Sequence, residues 1–476
     1  MICQILGRAL LCEAALLLAP GLVAVIYGEP AVVFWLTAAL AGGLGLLLTR
    51  FKPRSTVIYA REGFVSVSLS WLLLSLVGCL PFYLSGSIPS LADAIFETVS
   101  GFTTTGASIL TDVEALGRGV LFWRSLTHWI GGMGVLVFVM AVLPLANSRA
   151  MHIMRAEMPG PSVGKLVPRA RRTAIFLYLI YIGLTLLEVL ALLLCGLTPY
   201  DAVNHALSTA GTGGFSTYAA SAAVFSPAAQ TVIGLFMLLF GVNFNLYFLL
   251  LLGQWRPVVH NRELRWYIII VGLAVLTIAW DIRGLYAAAG PGEGLRHAFF
   301  QVGSVITTTG FCTADFNLWP EYSRSLLLLL MLAGACAGST GGGMKLSRML
   351  LLFKAAAADI KRMLRPSLVA DVRQEGRVVD ERTLREVFCF SFLYLAILLA
   401  VGLLLSLDGT DIVSNFTASL ACLSNIGPGL NLVGPMGNYA MFSDASKLLL
   451  SLEMLFGRLE LWPMIMLFSP STWRRA

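Results

Sequence analysis

Apolar stretches of about twenty residues recur along the whole chain, each long enough to cross a hydrocarbon core of about 30 Å as a helix. Backbone in that environment has to satisfy its own hydrogen bonds, which leaves helical bundles or closed barrels. Runs of this length select helices. Of the 476 residues 57% are hydrophobic and 12% are charged, against about 25% charged in an ordinary soluble domain. No soluble domain separates the apolar runs, and the clustered polar residues that an enzyme needs are missing.

The stretch from Leu10 to Tyr27 resembles a signal peptide in length but lacks a small-x-small cleavage site, so it is expected to be retained. The eight cysteines are scattered, without CxxC pairs, and read as small apolar fillers. A net charge of +7 raises the question of a polyanionic partner. Placement answers it: 26 of the 33 Lys and Arg residues fall in alternate loops, chiefly 50–61, 149–172, 256–265 and 345–385. That pattern predicts two cytoplasmic termini by the positive-inside rule and gives no reason to expect nucleic acid.

Ten spans are expected, at 7–27, 31–49, 63–85, 120–144, 173–196, 228–252, 265–288, 322–350, 385–406 and 445–467. Four shorter external segments lie between the third and fourth, fifth and sixth, seventh and eighth, and ninth and tenth. Each ends in a glycine-rich turn and is too short to cross and return, so each is expected to be re-entrant and surrounded by protein or water. They share a register: Ser100, Ser208 and Ser304 stand six residues before Gly106, Gly214 and Gly310, with Ala421 in that place before Gly427. The expected fold class is an all-α polytopic membrane protein. Four pseudo-symmetric span–pore-loop–span repeats (56–148, 149–255, 256–365 and 366–476) surround one central pore, preceded by two extra transmembrane helices in 1–55.

A dehydrated cation needs oxygens in place of water, and bare main chain offers carbonyls where glycine permits unusual dihedrals. The candidate ion-binding residues are Thr104, Thr105 and Gly106; Thr212, Gly213 and Gly214; Thr308, Thr309 and Gly310; and Asn425, Ile426 and Gly427. The alternative reading of one such run is close helix packing by small residues. The preceding short helices would point their partially negative ends at the ion. A second candidate site is Gly338-Ser339-Thr340-Gly341-Gly342-Gly343 with Lys345, where consecutive glycines should interrupt the eighth span. The nucleotide-loop pattern fails there, because Met344 separates Gly343 from Lys345. A mobile plug fits, with a passive hinge as the alternative. Arg458, inside the last span, is read as a pore-facing barrier to cations; pairing with Glu460 or snorkelling are the other options. Asp112, Glu114 and Asp315 follow the first and third turns and would raise cation concentration at the mouth, with solvated loop carboxylates as the equal alternative. His128, His205 and His297 have no ligand-like spacing.

The segments Phe96-Glu97-Thr98-Val99-Ser100-Gly101-Phe102-Thr103-Thr104-Thr105-Gly106 and Trp123-Arg124-Ser125-Leu126-Thr127-His128-Trp129 closely resemble the TrkH/TrkG membrane subunits of bacterial Trk potassium uptake systems. So do Pro159-Gly160-Pro161, Gly338–Gly343, Asn425-Ile426-Gly427-Pro428-Gly429 and Gly457-Arg458-Leu459-Glu460. The resemblance covers essentially the whole chain. It implies gated, potential-driven uptake of K+ and Rb+ across the bacterial inner membrane. It also implies a homodimer with one pore per chain and a cytoplasmic ring of TrkA-type nucleotide-binding subunits. Gly106, Gly214, Gly310 and Gly427 carry over as filter glycines, with Gly429 an alternative to Gly427. Gly338 to Gly343 carry over as the gating loop and Arg458 as its partner. No organic cofactor or enzymatic activity is expected. A sodium-permeable or ion-coupled relative is the alternative; such relatives often have serine where this chain has Gly106.

Overall fold

The computed structural model describes residues 2–51, 60–134, 170–288, 290–365, 371–374 and 377–473. The linker at 52–59, the continuation of the fourth expected span to 144, most of the basic segment 149–172 with Pro159-Gly160-Pro161, and Arg474 and Arg475 lie outside the described residues.

Helices α1 (Ile2–Leu16) and α2 (Leu18–Ile26) together form the first span, and α3 (Val32–Thr49) the second. Helices α1 and α3 cross where Gly7 faces Gly45, each within 3 Å of where a Cβ on the other would be. Small residues allow this approach, which replaces the hydrophobic drive that lipid cannot supply.

Four repeats follow. The first comprises α4 (Ala60–Gly78), α5 (Leu80–Leu84), the short α6 (Leu91–Phe102) and α7 (Arg118–Gly132). The second has α8 (Ala170–Leu194), the short α9 (Pro199–Gly211), α10 (Pro227–Phe240) and α11 (Phe244–Leu251). A connector, α12 (Trp255–Val259), leads to α13 (Arg262–Asp281), the short α14 (Pro291–Ile306), α15 (Glu321–Ala333) and α16 (Leu346–Leu364). The fourth repeat has α17 (Glu381–Leu405), the short α18 (Ile412–Leu423), α19 (Asp444–Arg458) and α20 (Trp462–Phe468). A small antiparallel hairpin, Arg373–Gln374 with Arg377–Val378, precedes it.

The short helices α6, α9, α14 and α18 are the re-entrant segments. Side chains from their N-caps start three of them: Ser90, Thr198 and Asp411 accept from the amides of Asp93, Asp201 and Ser414. Their C-terminal halves are buried on every side, as in Phe96–Phe102 and Thr417–Leu423. Protein therefore surrounds the ends of these helices, as bare backbone at membrane depth requires.

Six helices are long and apolar enough to cross a membrane among the described residues, or seven if α10 and α11 count as one span bent by 90°. The sequence predicts ten spans with the eighth interrupted, and the difference lies in the second helix of each repeat, all four of which are broken. Helix α7 ends at Gly132, α10 bends at Gly241, α15 stops at Ala333, and α19 stops at Arg458, where Glu460 and Leu461 have positive φ. Each break lies beside a loop turn, so side chains and free backbone groups enter the space an unbroken helix would fill.

The connection between α2 and α3 ties the leading helices to the first repeat. Both carboxylate oxygens of Glu29 accept from the N-terminus of α7, from Arg118 N at 2.6 Å and Gly119 N at 2.9 Å. The Arg118 guanidinium lies 4.3 Å from the Tyr27 ring centroid. Glu29→Ala is expected to lower stability by about 0.5–2 kcal/mol, the usual range for a lost helix cap. A thermal unfolding midpoint in detergent equal to the parent's would show that the cap contributes nothing.

Candidate functional site

All four re-entrant helices end in the same turn. The amides of Thr105, Gly213, Thr309 and Ile426 donate to the carbonyls of Ser100, Ser208, Ser304 and Ala421 at 2.8–2.9 Å. The residue before each donor is left-handed: Thr104 at φ 56°, Thr212 at 53°, Thr308 at 59° and Asn425 at 55°. A β-branched residue rarely adopts this region, and holding one there costs on the order of 1–3 kcal/mol. Three threonines held so at equivalent places indicate that the surrounding packing imposes the conformation.

Two residues after each left-handed position stands a glycine with positive φ: Gly106, Gly214, Gly310 and Gly427. A Cβ on Gly106 would overlap the carbonyl oxygen of Gly213, one on Gly214 that of Thr309, and one on Gly310 that of Ile426. On Gly427 it would lie 2.7 Å from Thr105 O. The contacts run from loop one to two, two to three, three to four and four back to one, so the four turns close on a single axis. Gly429 stands outside this circuit, against Thr417 and Val433.

Among the described residues the carbonyls of Thr105, Gly213, Thr309 and Ile426 accept no hydrogen bond from the protein, although Thr105, Thr309 and Ile426 are fully buried. Buried carbonyls normally find partners. Side-chain oxygens are instead committed to the scaffold: Thr103 Oγ1 pairs with Thr105 Oγ1, and Thr307 Oγ1 with Thr309 Oγ1, both at 2.8 Å. The C-terminal ends of four helices add partial negative charge at the same place. All four glycines open on one vestibule of about 140 Å³. The arrangement presents free main-chain oxygens where a desolvated cation can be coordinated.

Behind the ring, side chains fasten each loop. Arg124 on α7 bridges the first two: its Nε lies 2.8 Å from Glu97 Oε1, Nη1 donates to Ser216 O at 3.1 Å, and Nη2 to Ser108 Oγ at 3.3 Å. Glu97 also accepts from Ser108 Oγ and Ile109 N. His205 holds Ser216 Oγ, Gln301 Nε2 donates to Ala314 O, and the Tyr439 hydroxyl donates to Gly427 O. Asn425 Nδ2 joins the fourth loop to the first through Thr105 Oγ1 at 2.9 Å.

On the side of the ring away from the vestibule, the segment between α15 and α16 lies against the loops. Gly342 N donates to Thr308 Oγ1 at 2.6 Å, and a Cβ on Gly342 would overlap Ser424 O. The Arg458 guanidinium joins three elements, donating to Thr104 Oγ1 at 3.2 Å, Thr340 O at 2.9 Å, and Gly131 O and Gly132 O at 2.5 and 2.6 Å. Lys345 Nζ donates to Gly341 O. Gly338 O accepts from Phe244 N at 3.0 Å, anchoring the segment to the α10–α11 bend, and Ser339 Oγ closes back on Cys336 O. Glu460 pairs with Arg348, through Nη1 at 3.2 Å, rather than with Arg458.

All twelve loop residues singled out in the sequence thus stand in the four turns of the ring, and the eight of the second site gather beneath it. The sequence reading missed the fastenings. In the sequence Arg124 stands out only as part of the segment that resembles the TrkH/TrkG subunits, and Glu97, an acid within a pore helix, is the signal that a cationic partner has to be near. Asp112 and Asp315 cap local turns at Ala115 N and Asn317 N, while Glu114 holds Ala219 N. None lines the vestibule. His128 stacks on Phe215 with ring centroids 4.1 Å apart, and His297 bonds Thr313.

A helical membrane protein whose re-entrant turns meet around one axis is a transport protein built on a single pore. The chain belongs to the TrkH family: the family model described as "Cation transport protein" matches residues 31–475. It is 39% identical to the Trk system potassium uptake protein TrkH of Salmonella typhimurium, with 99% of each chain covered. It is 34% identical to Trk system potassium uptake protein TrkG of Escherichia coli, over 96% of this chain and 95% of that one. The crystal structure of the potassium transporter TrkH from Vibrio parahaemolyticus superposes with a TM-score of 0.89 at 34% identity, covering 99% of both chains.

Removing one member of a buried ion pair typically costs about 3–5 kcal/mol, because the other is left uncompensated. Arg124→Gln is therefore expected to unfold at markedly lower temperature, with Glu97→Gln/Arg124→Gln recovering part of the loss. Additive losses in that double-mutant cycle would mean that the two groups do not interact.

Proposed function

We propose that the chain mediates gated, potential-driven uptake of K+, and of Rb+, with the loop ring as its selectivity filter. The observation that carries this reading is the closed circuit of glycine–carbonyl contacts with buried, unbonded oxygens at its centre. The filter would consist of Thr104, Thr105 and Gly106, Thr212, Gly213 and Gly214, Thr308, Thr309 and Gly310, and Asn425, Ile426 and Gly427. Carbonyls replace part of the ion's hydration shell, and the four helix ends favour a positive charge there. One charge moving down the membrane potential releases about 2.3 kcal/mol per 100 mV, so uptake needs no nucleotide site in this chain.

Gly338, Ser339, Thr340, Gly341, Gly342, Gly343, Lys345 and Arg458 form the gate in this proposal. Arg458 places a fixed positive charge below the filter and holds the segment through Thr340 O, while Gly342 N on Thr308 Oγ1 presses it against the third loop. Opening requires both bonds to break and the segment to withdraw. Its anchors on the α10–α11 bend and its continuation into α16 make those helices the levers for a cytoplasmic TrkA-type partner that binds nucleotide. The alternate basic loops support an inner-membrane orientation with both termini cytoplasmic. Four units bounded near 56–148, 149–255, 256–365 and 366–476, and a homodimer with a pore in each chain, complete the reading.

Gly310→Ser tests the filter. A side chain there meets Ile426 O at φ +86°, so the parent in liposomes is expected to take up Rb+ in preference to Na+ and the purified variant to lose that preference. Unchanged discrimination would remove Gly310 from the filter. Deleting Gly341–Gly343 is expected to raise basal Rb+ flux well above the parent level. Flux that stays at the parent's closed level would rule out the gate.

A further inference from the structure

Remote from the loop ring, a groove of about 660 Å³ runs between the α10–α11 bend, α13 and α14. That size falls within the roughly 300–1,000 Å³ of typical ligand sites. Its wall is aliphatic apart from Phe299 and two tyrosines whose hydroxyl protons are already committed: the Tyr247 hydroxyl donates to Leu239 O at 2.7 Å and the Tyr267 hydroxyl to Leu238 O at 3.2 Å. The rim residues Ile268 and Leu276 are 61% and 64% exposed, so the groove opens on the face that meets hydrocarbon.

One end of the groove is different. Val258 and Leu264 belong to its lining, and beside them in the chain stand Arg256, Arg262 and Arg265. Arg256 and Arg265 are exposed, and Arg265 Nε donates to Val259 O at 2.7 Å, fixing the turn between α12 and α13. Trp255 and Trp266, each next to one of these arginines in the chain, are exposed as well. Exposed tryptophans with arginines mark the headgroup layer of a bilayer. Hydrocarbon wall and cationic end thus follow each other in the order of tail and headgroup.

We propose that this groove holds an acyl chain of an anionic phospholipid, with the lipid phosphate at Arg256 and Arg265. A second copy of the chain fits less well, because no acidic side chain belongs to the groove lining to complement the arginines at its end, whereas a lipid phosphate does so. A tail seated against Val242 and Tyr247 packs on the bend whose Gly241 O and Phe244 N hold Cys336 and Gly338. The site does not depend on the pore reading.

The test is native mass spectrometry of the full chain in detergent, titrated with phosphatidylglycerol or with phosphatidylcholine of the same acyl chains. The parent is expected to retain phosphatidylglycerol selectively. Arg256→Gln/Arg265→Gln is expected to weaken that binding about 30-fold, at roughly 1 kcal/mol for each charge near the surface, without changing phosphatidylcholine binding. Gly272 lines the groove, and a Cβ on it would have no atom within 4 Å. Gly272→Trp therefore fills the groove and is expected to abolish retention, with Gly272→Leu as a smaller filler should tryptophan disturb folding. Equal retention of the two lipids by the parent would overturn the proposal, as would undiminished phosphatidylglycerol binding in both Gly272 variants. Loss of the dimer with lipid binding intact would assign the groove to a second copy instead.

Discussion

Four glycines that leave no room for a Cβ hold the rest of this structure to account. Each turn abuts the carbonyl of the next, so the ring closes only if every repeat delivers its loop to the axis at the same height and in the same rotation. That demand explains why three threonines accept left-handed backbone, which their β-branching opposes, in the place where the fourth loop has Asn425, a residue that tolerates it. Side chains behind the ring supply the compensation, Arg124, His205 and Gln301 from helices and Tyr439 from the segment before α19, four different kinds with one role. Because these are buried polar groups, each loop is located by geometry as well as by packing.

The same constraint accounts for the broken second helices. A straight helix beside each loop would seal the space beneath the ring with side chains. Breaks at Gly132, Gly241, Gly334 and Arg458 instead bring main chain and one guanidinium to that level. The energetic cost of free backbone in a membrane is limited because the freed groups bond to one another: Cys336 N to Gly241 O, Phe244 N to Gly338 O, and Arg458 to the carbonyls that end α7. Irregular backbone is therefore concentrated where protein can satisfy it.

Much of this was legible in the sequence. Hydrophobic length marked the two leading helices and the first span of each repeat, and the six-residue distance from Ser100, Ser208 and Ser304 to a glycine marked the loop register, because a helix-ending turn has a fixed residue count. In the structure those serines, with Ala421, provide the carbonyls that close the turns. The glycine run at Gly341–Gly343 announced an interrupted helix. What could not be read were bonds between residues far apart in sequence, such as Asn425 to Thr105 and Arg458 to Gly131, since composition and period carry no such information. The 90° bend between α10 and α11 was hidden for another reason: its residues are as apolar as those of a straight span, and only Gly241 and Asn243 mark it.

The loops are alike in backbone and unlike in the side chains that tie them. Hydroxyl pairs brace loops one and three, while the Asn425 side chain reaches across from the fourth to the first. In an assembly of four identical subunits a single codon change alters every quadrant together, and a small defect is multiplied by four. Here one codon alters one quadrant. Such a ring can drift in affinity by small, separately tolerated steps, keeping three sides intact while the remaining one is remade.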